Sequence, residues 1–102
     1  MHPSIESQRA AIQELCRRFG VRRLELFGSA ARDDFDERAS DVDFLVEFQP
    51  GPVSTAPDRY FGLLHGLEDR LLRRVDLVMT SAVDNPYFLV AIERDRTLLY
   101  AA

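Results

Sequence analysis

Ser40-Asp41-Val42-Asp43-Phe44-Leu45-Val46-Glu47-Phe48 is the stretch from which the fold can be read. From Asp41 to Phe48 apolar and other residues alternate, with Val42, Phe44, Val46 and Phe48 on one face, and a period of two is the signature of a half-buried strand. The same period puts Asp41 and Asp43 together on the opposite face. A third acid stands in the same phase of another short apolar run: Val75 to Thr80 sets Val75, Leu77 and Met79 on one side and Asp76, flanked by Val78, on the other. If the two strands are neighbours, three carboxylates share a small area. Such groups repel and raise one another's pKa values unless a cation intervenes, and hard oxygen donors suit Mg²⁺ or Mn²⁺.

Working outward, residues 4 to 19 place Ile5, Ile12, Leu15, Cys16 and Phe19 near i, i+3, i+4, i+7 spacing, which predicts one amphipathic helix with Ser4 as cap and Gly20 as stop. Arg22 to Phe27 reads as a strand ended by Gly28-Ser29, and Ala30 to Asp34 has room for a turn or two of helix. Asp33 to Ser40 reads as loop. So does Gln49 to Pro57, which holds Pro50, Gly51, Pro52 and Pro57. A third helix is expected from Asp58 as cap, with Tyr60, Leu63, Leu64, Leu67 and Leu71 on one face and Arg70, Arg73 and Arg74 at its negative end. Asn85-Pro86 predicts a further helix start running through Tyr87 to Asp95, before a last strand at Thr97 to Tyr100. Alternating helices and strands imply an α/β (α+β) fold, a small sheet flanked by about four helices. The 102 residues suffice for one core, so a single domain over 1–102 is expected, with no room for a second.

Gly28-Ser29 supplies a complementary half to the acids. A residue with no side chain lets a phosphate approach the backbone, and a serine at a helix start adds a hydroxyl to N–H groups that already favour an anion. Arg32, one turn on, either reaches a phosphate oxygen or braces the carboxylates.

Competing motifs fail on position. An EF-hand loop from Asp34 needs glycine where Ala39 stands and glutamate where Leu45 stands. A phosphatase of the Asp-x-Asp type places its acids after the apolar strand, not before it. A P-loop needs a lysine, and the chain has none. His65 lacks a partner at ligand spacing and reads as solvated or structural. Gly62 and Gly66, four apart, read equally as a close helix contact or as two tolerated poor helix formers, and Tyr60, Tyr87 and Tyr100 read as core or interface aromatics. The net charge is −4, with basic residues scattered in pairs (Arg17-Arg18, Arg22-Arg23, Arg73-Arg74), which argues against independent nucleic-acid binding. No apolar run approaches the ~20 residues of a membrane span. With the lone Cys16 on the apolar helix face, a cytoplasmic protein with an inert thiol is expected.

Taken together, Phe27-Gly28-Ser29-Ala30-Ala31-Arg32, then Ser40-Asp41-Val42-Asp43-Phe44-Leu45-Val46, then Val75-Asp76-Leu77-Val78 resemble the nucleotidyltransferases of the DNA polymerase β superfamily. The spacing of eleven residues between Ser29 and Asp41 is similar to that of their minimal nucleotidyltransferase (MNT) branch. Asp33 departs from the pattern, which often has glycine after the arginine, and adds an acid beside the expected phosphate site. The resemblance implies a mixed sheet, with Asp41 and Asp43 binding two Mg²⁺ ions, Asp76 binding the one nearer the nucleophile, and Gly28, Ser29 and Arg32 taking the nucleotide. It further implies transfer of a nucleoside monophosphate, AMP from ATP, to a hydroxyl. The acceptor it suggests is a tyrosine of a HEPN-domain toxin, which would make this chain an antitoxin. The alternative is a silent module of the same fold that neutralises its partner by occlusion.

Overall fold

The computed structural model describes residues 3–28, 41–80 and 96–102. The helices expected at Ala30–Asp34 and Asn85–Asp95 lie outside the described residues. Within them the order is α1 (Pro3–Glu6), α2 (Arg9–Arg18), β1 (Val21–Phe27), β2 (Val42–Phe48), a short 3₁₀ turn (Val53–Thr55), α3 (Ala56–Leu71), β3 (Val75–Met79) and β4 (Thr97–Ala101).

The N-terminal helix is two pieces rather than one. The Ser7 amide donates to Pro3 O, but the Gln8 amide reaches back only three residues to Ile5 O, and the ladder restarts with Ile12 N–H to Gln8 O. The Ser7 hydroxyl, donating to Ser4 O, competes with the helix at the same place. The helix begins at Pro3, so Ser4 lies inside its first turn and is not the cap. Gly20 does act as the stop, with φ +69°. The third helix starts two residues before Asp58, after Thr55, whose hydroxyl bonds Pro52 O instead of capping. It closes at Leu71, leaving Arg73 and Arg74 beyond its end.

The four strands form one mixed sheet in the order β3-β2-β1-β4. β1 runs antiparallel to both β2 and β4, while β2 and β3 are parallel and joined through α3. One face carries the core: Val42, Phe44 and Val46 of β2, Leu24 and Leu26 of β1 and Leu77 of β3 meet Ile5, Ile12 and Cys16 and the α3 leucines Leu63, Leu67 and Leu71. Burial pushes the Cys16 thiol up to about 12 against the pull of Arg17, so it stays protonated and unreactive. α2 and α3 approach closely because Gly62 sits under the Phe19 ring and Gly66 under Leu15, whose Cδ2 lies 2.7 Å from where a β-carbon would fall. In β4 the pairing slips between Leu24 and Glu25, and Leu99 turns into the core while its carbonyl accepts from Gln13. The opposite sheet face holds a second, smaller apolar group, Phe27 and Leu45 with Val78 against them.

Candidate active site

The acids emerge on that second face. The parallel register pairs Asp43 of β2 with Asp76 of β3, and the antiparallel register pairs Asp43 with Phe27, the last residue of β1. Asp43 thus stands in the middle of one rung, with Asp76 beside it and the end of β1 on its other flank. Asp41 lies just before β2 and is exposed, as is Asp76, whereas Asp43 is half-buried. The Val42 amide donates to Arg74 O at 3.2 Å, which ties the entrance of β2 to the turn that leads into β3.

Gly28 follows directly, at φ +74°. A β-carbon there would fall 2.5 Å from Asp43 Oδ2, so only glycine leaves the carboxylate in place. Gly28 is therefore placed against one of the acids, Asp43. Ser29 and Arg32 lie outside the described residues.

The expected convergence of three acids is met only in part. Asp43 and Asp76 share a rung, but among the described residues no three acidic, histidine or cysteine side chains converge closely enough to hold an ion. Asp41 is a residue short of the ladder, and three like charges held together without a cation would repel. The donor set nonetheless has the chemistry a hard divalent ion takes: it is all carboxylate oxygen, and Gly28 leaves the space beside Asp43 Oδ2 that a β-carbon would fill.

Two further residues bear on the site without having been singled out for it. The Tyr60 hydroxyl donates to Leu77 O at 2.6 Å, anchoring β3 one residue past Asp76. Burial first, and then the charge of Asp76, push the Tyr60 phenol up. Glu25, 3% exposed, stands two residues before Phe27 on the same side of β1. Its carboxylate accepts from Arg96 Nε and Nη2, at 2.5 and 2.6 Å, and from Arg23 Nε at 2.8 Å. The hydrogen bonds from Arg96 lead in holding its carboxyl below the ordinary value, with Arg23 adding to them against the opposing effect of burial. The only sequence signal for it was an acid in phase with Phe27 between the apolar Leu24 and Leu26. No helix among the described residues is long and apolar enough to cross a membrane.

The nucleotidyltransferase domain family matches residues 9–99. Protein adenylyltransferase MntA of Thermococcus cleftensis is 44% identical over 71 residues, 70% of this chain and 68% of the relative. A solved structure provisionally described as a minimal nucleotidyltransferase superposes with a TM-score of 0.74 at 30% identity, covering 91% of this chain and 90% of that one. A complex of tri-AMPylated Shewanella oneidensis HEPN toxin with MNT antitoxin matches at a TM-score of 0.64 and 18% identity, over 95% of this chain and 72% of that one, a likeness of fold. The chain belongs to the nucleotidyltransferase domain family, and its mixed sheet with flanking helices is the nucleotidyltransferase fold.

Proposed function

We propose that this protein transfers AMP from ATP to a hydroxyl of a partner protein, a tyrosine of a HEPN-domain toxin, and so acts as its antitoxin in the cytoplasm. The observation that carries this is the rung on which Asp43 and Asp76 stand side by side with Gly28 packed on the Asp43 carboxylate. The adenylyltransferase relative and the toxin–antitoxin complex of like fold support the choice of nucleotide and partner.

Asp41, Asp43 and Asp76 would hold the two divalent ions, Mg²⁺ or Mn²⁺. When bound, such ions supply charge neutralisation on the triphosphate and acidify the attacking hydroxyl. The chain's own part is positioning. Gly28 admits the phosphates to the backbone beside Asp43, Ser29 offers a hydroxyl and Arg32 a cation to the same tail. Asp76, exposed on β3, faces the approach of the acceptor. The acceptor oxygen forms a bond to the α-phosphorus as the bond to pyrophosphate breaks, and the hydroxyl proton passes to solvent.

The test is co-expression with the product of the adjacent gene, followed by intact-mass measurement of that partner. One or more added AMP groups are expected with the wild type, and none with Asp43→Asn. Equal neutralisation by Asp41→Asn and Asp43→Asn with no mass change would replace catalysis by occlusion.

A further inference from the structure

Glu25 carries two arginines on one buried carboxylate. Arg23 alone would balance its charge, yet Arg96, 71 residues further along the chain, places Nε and Nη2 on it as well. Among the described residues these three side chains sum to one positive charge, in a chain whose net charge is −4. Neutralising Glu25 does not call for that excess. The Arg96 side chain keeps 30% of its surface against 4% for Glu25, so the carboxylate is sealed while the guanidinium still reaches solvent.

The sheet sets this charge beside the acids. Phe27 pairs with Asp43 and Glu25 with Leu45, which makes Glu25 a diagonal neighbour of Asp43 on the same face, about 7–8 Å away. Arg96 immediately precedes β4, whose first pair is Thr97 with Leu26, and the same register carried one residue on sets Arg96 level with Phe27. Its bonds to Glu25 put its side chain on the acid-bearing face. Asp76, Asp43, Phe27 and Arg96 therefore succeed one another across the four strands, acids on one side and a cation on the other. At ~4.8 Å per strand, Arg96 starts about 10 Å from Asp43, and Gly28 lies between them at the end of β1.

An in-line displacement gives this row a direction, because the entering and leaving oxygens stand on opposite sides of the phosphorus. With the acceptor arriving at Asp76, pyrophosphate departs toward β4. We infer that Arg96 binds the β- and γ-phosphates of the nucleotide and meets the charge that develops on the departing pyrophosphate, with Glu25 fixing the direction of its guanidinium. No proton moves in this role, since an arginine stays charged throughout. The inference rests on the reading of the site as a nucleotidyltransferase centre with Asp76 on the acceptor side.

Arg96→Gln tests it by calorimetry with three ligands. Mn²⁺ without nucleotide reports on the acids alone and should bind as it does to the wild type. Mg²⁺-ATP should bind about tenfold more weakly or worse, the loss expected for a hydrogen bond to a charged group. Inorganic pyrophosphate should lose a similar factor as a competitor of ATP. Arg96→Lys keeps a charge on Glu25 without the planar fork, and it should melt closer to the wild type while still binding ATP severalfold more weakly. Wild-type ATP affinity in Arg96→Gln, or in Arg96→Lys if only that variant folds, overturns the assignment. An equal loss of Mn²⁺ and ATP overturns it too, because Arg96 would then only brace the acids. A wild type that binds Mn²⁺ but neither ATP nor pyrophosphate would sink the nucleotidyltransferase reading, and the role of Arg96 with it.

Discussion

Gly28 and Gly20 form a matched pair for testing what the site demands of the chain. Both have positive φ, +74° and +69°, so alanine at either carries the left-handed penalty of about 1–2 kcal/mol, partly offset by the smaller entropy of the unfolded chain. They differ in what the new β-carbon meets. At Gly20 the nearest atom is Arg59 Cδ at 3.6 Å, an ordinary contact, and Gly20→Ala should cost about 1 kcal/mol, a fall of roughly 4–8 °C in melting temperature. At Gly28 it is Asp43 Oδ2 at 2.5 Å, an approach that must move the carboxylate and adds about 1–3 kcal/mol of overpacking. Gly28→Ala should thus lose roughly 8–32 °C by the same conversion. It alone should lose Mg²⁺-ATP binding, because the displaced group is the one at the centre of the acidic rung. Circular-dichroism melts and calorimetric titrations of the two variants supply both readings. If Gly28→Ala melts with Gly20→Ala and binds Mg²⁺-ATP like the wild type, the Gly28 contact does not shape the site and the reasoning from it is wrong.

Arg96 and Arg23 hold the Glu25 carboxyl below its ordinary value of 4.5, so its stabilisation is complete above that pH and drains away as pH falls through the depressed folded value. Glu25→Gln should cost about 3 kcal/mol at pH 7 and flatten the acid limb of a stability–pH profile, and an unchanged acid limb would refute the pairing. Between α2 and α3, Gly62→Ala must displace the Phe19 ring whereas Gly66→Ala meets only the flexible end of Leu15. Chemical denaturation should therefore find Gly62→Ala destabilised by about 1–3 kcal/mol and Gly66→Ala near neutral, since alanine's better helix propensity offsets a small shift.

Alternation was enough to bring Asp43 and Asp76 to one face, because a strand offers only two directions and the apolar set had claimed one. The neighbouring of their strands needed an assumption, and the parallel β2–β3 register supplies it. The spacing of Gly62 and Gly66 allowed either a close helix contact or mere tolerance, and the contacts with Phe19 and Leu15 decide for the first. What escaped depended on local competition or on distance along the chain. The break at Ser7 turns on one hydroxyl reaching one carbonyl, and the early start of α3 on a proline stretch that reads equally well as loop. Glu25 and Arg96 stand 71 residues apart, and nothing in either neighbourhood announces the other until β1 pairs with β4. Asp41 was placed by extending the strand one residue beyond where the ladder begins.

The strand order divides the sheet by the time at which its parts become available. β2, α3 and β3 follow one another without interruption, so the Asp43–Asp76 rung lies inside a single run of chain from residue 42 to 79. β1 sits between this run and β4, and its outer edge waits for a strand that comes later in the chain. During synthesis the acidic half can gather while Glu25 still lacks Arg96, since a ribosome delivers the N-terminal portion first. A nascent chain would then carry the acidic rung beside a β1 edge still unpaired and a Glu25 carboxylate held by Arg23 alone. Arrival of β4 pairs that edge and brings Arg96 onto Glu25 together.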